Sequence, residues 1–313
     1  MGRAPEERLY HQPVMAEEVA GIFRTIEEGV IVDATFGGGG HTRRLVEQSP
    51  PAVRILALDR DPAAGAQAGA LGPGVRLVEA NFSRLAEVLE EEGIDEIAGA
   101  LFDLGVSSRQ LDDPQRGFSY NQQGPLDMRM GPDSQHTAQE VVNAWPVEQL
   151  ADVIRRFGEE RFAGRIASAI IEARPVRGTT ELAEVVRRAI PAASRRRGGH
   201  PARRTFQAIR MAVNDELGAL ESGLEAALSA LRLGGRVAVI SYHSLEDRLV
   251  KRRFARGGRG CVCPPELPVC SCGRVAELRL LTRRALRPSQ EEVARNRRAR
   301  SARLRAAEKV AAV

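Results

Sequence analysis

Glycines and acids at the ends of apolar runs are the first residues of this chain that could do chemistry. Four consecutive glycines, 37–40, follow the apolar run that ends at Asp33, and His41 comes directly after them. Glycines at such a turn let backbone amides approach a ligand that a Cβ would exclude, and the helix that follows offers its positive end. The pattern predicts a site in which a cofactor lies against bare backbone.

A second acid supports a nucleoside cofactor. Asp59 ends the next apolar run, about twenty residues past the glycines, where a carboxylate can accept hydrogen bonds from both hydroxyls of an adenosine ribose. This arrangement fits NAD and S-adenosylmethionine equally well. A P-loop would need Lys and then Ser or Thr after its last glycine, and neither follows, so an NTPase is excluded.

Two later runs end in residues that could complete this site. Phe82 could cover an adenine ring, although a buried core phenylalanine is the commoner meaning of such a residue. Asp103 is followed by a glycine and two serines, which would give a small, polar mouth suited to a reacting group. A turn or a helix cap is the alternative meaning of these residues.

The elements that must position these residues follow from the apolar runs. Near-continuous apolar strands separated by helical segments predict an α/β fold with a parallel sheet covered on both faces, and such a sheet binds ligands beyond the carboxyl ends of its strands. The predicted strands cover 30–36, 54–61, 75–82, 99–105 and 235–243.

The stretch between the fourth and fifth strands predicts helices. Thr137 and Glu140 form a capping-box pattern, and apolar residues recur at helical spacing in 147–157 and 182–190. A longer helix is predicted from about 204 to 231, ended by Gly234 and Gly235. We therefore expect a Rossmann-like domain of 1–110 and 206–313, interrupted by an inserted all-helical domain of 111–205.

Charge is unevenly distributed along the chain. The net charge is +5, yet the tail from Arg283 to Lys309 carries ten Arg or Lys against three Glu. A basic terminal arm suggests a polyanion partner, with a solubilising charged helix as the alternative. The loop 194–204 holds five arginines, whose planar forks suit phosphates.

Four cysteines are confined to one short stretch. Cys261, Cys263, Cys270 and Cys272 form two C-x-C pairs six residues apart, which could hold one structural zinc. A redox-labile pair or incidental thiols in a loop are the alternatives. The chain starts with charged residues where a signal peptide needs an apolar stretch, and no apolar run has the length of a membrane span. We therefore expect a cytoplasmic protein with no membrane partner.

Several longer motifs carry a specific resemblance that extends over nearly the whole chain. Together they resemble the MraW family, the bacterial 16S rRNA cytosine N(4)-methyltransferases. The resemblance implies a methyltransferase-type Rossmann sheet, S-adenosylmethionine as methyl donor and a cytidine of the decoding region, at position 1402, as acceptor. The partner it implies is the 16S rRNA in the 30S subunit or a late precursor. The motifs are DATFGGGGHT, LALDRDP, LFDLGVSSRQLDDPQRGFSY, GPLDMRM, HPARRTFQAIRMAVNDEL and ISYHSLEDRLVK.

The resemblance also implies site residues. Asp103 is expected to accept a hydrogen bond from the cytosine amine, although Leu-Gly-Val follows it where many amino-methyltransferases have two prolines and an aromatic residue. Candidates to stack on the base are Phe118, Tyr120 and Tyr242. The cofactor site implied by the family maps onto Gly39, Gly40, His41, Asp59, Phe82, Asp103 and Gln110.

Two other protein classes stay open from the residues alone. A nicotinamide-dependent oxidoreductase would share the glycines and Asp59, but it would also need an acid or base for hydride transfer. A non-catalytic ribosome-binding protein would explain the basic tail and the cysteines, but it has no need for a polar crevice at the strand ends.

Overall fold

A seven-stranded sheet organises the chain. The computed structural model describes residues 13–195, 199–261, 263–264, 269 and 271–311, with the side chains of 66–70 and 108 left aside. The strands are β1 (Gly29–Asp33), β2 (Val53–Asp59), β3 (Val75–Glu79), β4 (Ile97–Asp103), β5 (Leu231–Ser241), β6 (Leu278–Leu280) and β7 (Arg303–Lys309).

The sheet is parallel except at one edge. Its strand order is β3-β2-β1-β4-β5-β7-β6, and β7 runs antiparallel to both β5 and β6. From β1 the chain moves to β2 and β3 on one side, and it then crosses to β4 and β5 on the other. The connections therefore diverge between β1 and β4, and a crevice for a ligand forms at that point in open α/β sheets.

Thirteen α-helices are found within the described residues. They are α1 (Ala16–Phe23), α2 (Gly40–Gln48), α3 (Leu85–Glu91), α4 (Ser108–Asp112), α5 (Ala138–Ala144), α6 (Val147–Gly158), α7 (Ala163–Glu172), α8 (Thr179–Ala189), α9 (Ala192–Arg195), α10 (Arg203–Asn214), α11 (Glu216–Ala230), α12 (Ser244–Gly257) and α13 (Gln290–Arg295).

Side chains alternate between two cores on the faces of the sheet. Val30 and Val32 of β1 belong to the core that also contains Leu224 of α11, whereas Ile31 between them belongs to the core that contains Phe23 of α1 and Leu45 of α2. Both faces are thus covered, which explains why the central strands β1 and β4 are apolar up to the acid that ends each of them. The predicted α/β, Rossmann-like class is confirmed.

The chain forms two compact units, one of 1–105 with 218–313 and one of 106–217. The second unit has a core of its own, built from helical residues such as Val141, Ile154, Ile170 and Ile209. All regular elements of its described residues are helical. The expected boundaries, 110 and 205, both fall inside this unit, and it extends beyond 205 because α10 contributes to its core.

The long helix predicted from about 204 to 231 is wrong as a single element. Asp215 separates α10 from α11 and has a left-handed backbone, with φ of 45°. That conformation ends a right-handed helix, and aspartate tolerates it better than most residues. The second helix also ends before the predicted Gly234 and Gly235, which lie within β5.

The prediction of a basic terminal arm is wrong for its last residues. Leu304 and Ala306 of β7 are fully buried, and β7 pairs with β5 along six residues of each strand. Arg303 and Arg305 alternate with them and both bind Asp247 of α12, at 2.8 and 2.7 Å. This end of the tail is therefore part of the sheet.

None of the helices in the described part of the chain has the length and apolar character needed to cross a membrane.

Candidate active site at the carboxyl ends of the strands

Asp33, the last residue of β1, fixes the loop that follows it. Its side chain is fully buried and accepts hydrogen bonds from the Thr42 hydroxyl at 2.6 Å and from the Thr35 amide at 3.2 Å. Burial raises the pKa of Asp33, and the hydrogen bond from Thr42 opposes that rise. This carboxylate ties the start of α2 to the sheet, so its role is to shape the loop.

The glycines of this loop are needed for two reasons. Gly39 has φ of 72°, and a Cβ there would lie 2.9 Å from the ring of Phe36. Gly37 has φ of 53°, but a Cβ there would find its nearest neighbour only at 3.9 Å. The loop is therefore packed tightly at Gly39 and open at Gly37, where backbone remains accessible. Gly40 begins α2, with Pro13 against it.

Asp59 lies at the end of β2 and faces this loop. Its carboxylate accepts hydrogen bonds from the amides of Gly37 at 2.6 Å and Asp61 at 2.8 Å. Burial raises the pKa of Asp59 to about 6, although the two backbone hydrogen bonds favour the charged form. A carboxylate that is fixed and partly stripped of water is suited to accept hydrogen bonds from a diol.

Phe82 follows β3 and packs on the core. Its ring meets that of Phe102 edge to face, with centroids 5.6 Å apart, and a Cβ on Gly223 would lie 2.8 Å from the Phe82 ring. Asn81 caps the turn that begins at Phe82 by accepting from the Ser83 amide at 3.1 Å. The alternative that Phe82 is a core residue thus has direct support, and its contact with adenine stays a prediction.

Asp103, at the end of β4, is the centre of a partly buried cluster. Its Oδ1 accepts a hydrogen bond from the Tyr242 hydroxyl at 2.8 Å, and its amide donates to the Thr35 hydroxyl at 2.7 Å. The Nε2 of His41 lies 3.4 Å from Asp103 Oδ2, close enough for charge attraction. Residues from the ends of β1, β4 and β5 therefore meet at the point where the connections diverge.

His41 is buried at this point without an aligned hydrogen bond to either ring nitrogen from any described residue. Burial alone would lower its pKa, but the neighbouring carboxylates of Asp103 and Asp33 outweigh burial and leave the pKa raised. A buried, unsatisfied imidazole beside a carboxylate is costly in an isolated protein, so it marks a place where a polar ligand fits.

The sequence did not predict the hydrogen bond from Tyr242 to Asp103. Burial raises the pKa of Tyr242 well above the ordinary value, and the charge of Asp103 adds to that rise, so the phenol stays protonated and donates. Its backbone is held by Glu246 of α12, which accepts from the amides of Tyr242 at 2.9 Å and His243 at 3.2 Å. The only sequence signal was that β4 and β5 both end in polar residues.

Gln110 belongs to the second unit. There it completes a capping box with Ser107 at the start of α4, and its side-chain amide donates to the Met130 carbonyl at 3.4 Å. These contacts give Gln110 a structural role, and its predicted contact with a cofactor stays a prediction. Of the candidate stacking residues in this unit, Phe118 is part of the core and Tyr120 stacks on His200, with centroids 4.5 Å apart.

The predicted basic patches are used in part within the fold. In 194–204, Arg195 donates to the Ile190 carbonyl at 2.7 Å and Arg204 to the Glu159 carbonyl at 3.1 Å, while 196–198 lie outside the described residues.

An arginine pocket that the sequence did not predict lies at the end of α12 and after it. Its arginines are Arg252, Arg256, Arg259 and Arg274.

Three of the four cysteines converge. The Sγ atoms of Cys261, Cys263 and Cys272 all lie within 4.8 Å of one another. Cys270, the fourth member of the predicted metal site, lies outside the described residues.

Comparison with known proteins identifies the family of this chain. Proteins named ribosomal RNA small subunit methyltransferase H from Heliobacterium modesticaldum and Symbiobacterium thermophilum are each 50% identical to this chain; the alignments cover 96% and 97% of this chain and 99% and 98% of theirs. The protein of the same name from Geobacter sulfurreducens is 50% identical over 96% of this chain and 99% of its own. The profile described as the MraW methylase family matches residues 8–310. The chain belongs to the MraW methylase family.

Proposed function

We propose that this chain uses S-adenosylmethionine to methylate the exocyclic N4 of a cytidine in the decoding region of 16S rRNA, at position 1402 by family resemblance. Membership of a methylase family supports methyl transfer, and the names of the relatives support small-subunit rRNA as the substrate. The observation that carries the proposal is the carboxylate of Asp103, held by Tyr242 and flanked by His41 where the strand connections diverge.

The residues present fit this cofactor. Asp59 offers a fixed, poorly solvated carboxylate for the ribose hydroxyls, and Gly37 leaves backbone open beside it. His41 belongs to the same loop, and while its Nε2 faces Asp103, its buried Nδ1 has no hydrogen-bond partner among the described residues and can meet the polar end of the methionine portion. When bound, S-adenosylmethionine supplies an electrophilic methyl group on a sulfonium sulfur.

The acceptor amine needs orientation more than strong base catalysis. The lone pair of cytosine N4 is delocalised into the ring, and attack on the methyl group ends with release of one N4 proton. The Tyr242 hydroxyl donates to Oδ1 of Asp103 and His41 Nε2 lies 3.4 Å from Oδ2, so the amine would donate to a remaining lone pair of this carboxylate. Fixing two reactants in line can contribute on the order of 7 to 11 kcal/mol.

RNA binding needs basic surface outside this crevice. The arginine pocket supplies it in the first unit, since the guanidinium groups of Arg252, Arg259 and Arg274 line one depression. Arginine forks bind phosphate oxygens in a bidentate manner, and a double-stranded or folded RNA presents phosphates at any sequence. The strands of the crevice would then supply selectivity for the base.

The proposal is tested by transfer of labelled methyl from S-adenosylmethionine to small ribosomal subunits that lack the modification, followed by nucleoside analysis. We expect label in N4-methylcytidine. Asp103→Ala should lower the rate by about a hundredfold, in the range for a positioned proton acceptor, whereas Asp95→Ala, an exposed acid, should not change it.

Tyr242→Phe is the companion variant because it removes only the hydroxyl that holds Asp103. The loss of one hydrogen bond, about 1 to 1.5 kcal/mol, predicts a fall of about fivefold to tenfold in kcat with KM for the cofactor unchanged. Tyr120→Phe in the second unit serves as its control. Label in another nucleoside, or no label in RNA from a protein that binds the donor, would refute the cytidine assignment. If NAD rather than S-adenosylmethionine raised the stability of the protein, that result would favour an oxidoreductase.

A further inference from the structure

The cysteine-containing loop lies between α12 and β6, away from the chemistry described above. Its base is closed by the Glu277 amide, which donates to the Gly257 carbonyl at 2.9 Å, and by Arg274, which donates to the Arg256 carbonyl at 3.0 Å. Beyond this base, the described residues of the loop form neither helix nor strand. In the described part of the loop, backbone hydrogen bonds of a helix or a sheet therefore do not define the conformation.

Apolar packing does not supply that definition. The large apolar residues described in the loop are exposed, with Val269 at 75% and Val275 at 71% of their accessible surface. A small segment without a hydrophobic core is commonly stabilised by a metal ion or a disulfide. The cysteines are the residues of the loop that can provide either.

The positions of the sulfur atoms favour a metal. Cys261 Sγ and Cys272 Sγ are 3.8 Å apart, and the Sγ of Cys263 lies within 4.8 Å of both. A disulfide needs about 2.05 Å between its sulfurs. In a tetrahedral zinc site with Zn–S bonds of about 2.3 Å, the sulfurs are about 3.8 Å apart.

The backbone brings the first pair of thiols into a position to share one ion. The amide of Cys263 donates to Cys261 Sγ at 3.4 Å, so the two side chains of this C-x-C pair turn toward the same side. Amide donors to a ligating sulfur are typical of thiolate metal sites, because they stabilise its negative charge.

We propose that Cys261, Cys263 and Cys272 bind one Zn²⁺ as thiolates and that this ion holds the loop between α12 and β6. Binding converts three thiols to thiolates and releases three protons. Soft sulfur ligands favour zinc, and three thiolates leave one position of the tetrahedral ion for a fourth ligand. Arg259 and Arg274, each two residues from one of these cysteines along the chain, also line the arginine pocket.

The test measures bound metal in the full-length protein, purified under reducing conditions without chelator and without a histidine tag. We expect about one zinc per chain in the wild type. Cys261→Ser, Cys263→Ser and Cys272→Ser should each lower the zinc content at least fivefold. Val275→Ser, in the same loop but without ligand capacity, should retain it.

A second measurement uses the wild type alone, so that a variant that misfolds does not decide the result. Protein loaded with Co²⁺ should show the intense near-ultraviolet absorption of thiolate-to-cobalt charge transfer. Titration with a mercurial thiol reagent should release zinc in step with loss of the thiols. Neither readout depends on methyl transfer.

Three results would overturn the proposal. The first is reduced wild-type protein that takes up no zinc from supplemented medium and gives no charge-transfer band with cobalt. The second is full zinc content in the cysteine variants, and the third is stoichiometric iron or copper in place of zinc. A thiol titre that is two short of four in zinc-free protein would show an oxidised pair instead.

Discussion

At the scale of single residues, burial and hydrogen bonds give different roles to three aspartates that all lie at strand ends. Asp33 is fully buried and shapes the loop, Asp59 is held by two amides, and Asp103 is held by a phenol. Sequence position identified all three as strand ends. It could not assign their roles, because those depend on partners up to 139 residues away, such as Tyr242 for Asp103.

The environment of Asp59 predicts a pH dependence of stability. Its pKa is raised from 3.8 to about 6, so between these values the folded state binds a proton that the unfolded chain has released. The free energy of unfolding of the ligand-free protein should therefore fall as pH rises from about 4 to 6, by at most ~3 kcal/mol from this group. Urea unfolding of the wild type and Asp59→Asn across this range measures the effect as their difference.

The same group predicts the opposite trend for cofactor binding. In the proposed complex the ribose hydroxyls donate to the Asp59 carboxylate, and only its ionised form accepts both. Affinity should therefore fall as pH drops through about 6, approaching tenfold per unit below it. Calorimetric titration of S-adenosylmethionine from pH 5 to 7.5 measures this, with Asp95→Asn as the matched exposed control. A Kd for the wild type that stays constant over this range, or one that varies equally in Asp59→Asn, would remove Asp59 from the ribose site.

At the scale of elements, the spacing of apolar residues predicted most of the strands but missed one helix break and one strand. The apolar runs located β1 to β5, and they are most continuous in β1 and β4, whose residues are buried on both faces of the sheet. The break at Asp215 was missed because apolar spacing continues across it while the backbone turns left-handed. Strand β7, which lies between β5 and β6, was missed because its arginines dominated the composition, although Arg303 and Arg305 alternate with buried Leu304 and Ala306, the period of a strand.

The burial of β7 predicts that the end of the tail is needed for folding. Leu304 is fully buried in the core shared with Ile240 and Ala238 of β5. Leu304→Ala should lower the free energy of unfolding by about 2 to 5 kcal/mol, as for other buried leucines. Val310→Ala, at an exposed position just beyond the strand, should change it by less than about 0.5 kcal/mol. Equal stability of both variants in urea would show that the end of the tail is not needed for folding.

At the scale of the whole molecule, the chain divides into two compact units, and the predicted insertion of 111–205 lies within the unit of 106–217. The change from strand-like runs to helical spacing signals a second unit between β4 and β5. The sequence of α10 does not indicate which core the helix joins, because Phe206, Ile209 and Val213 could pack in the core of the first unit or of the second. Three-dimensional packing decides this and moves the boundary to 217.

Residues 106–217 should therefore fold when expressed without the rest of the chain. The segment has the size of an ordinary domain, and its core contains residues of α5, α6, α7, α8 and α10. We expect a helical circular-dichroism spectrum and a cooperative thermal transition. Ile154→Ala, at a fully buried position, should lower the midpoint, whereas Arg155→Ala, its exposed neighbour on α6, should leave it within a degree or two. A segment ending at 205 lacks α10 and should melt without cooperativity. If it melts like 106–217, α10 contributes little to this core.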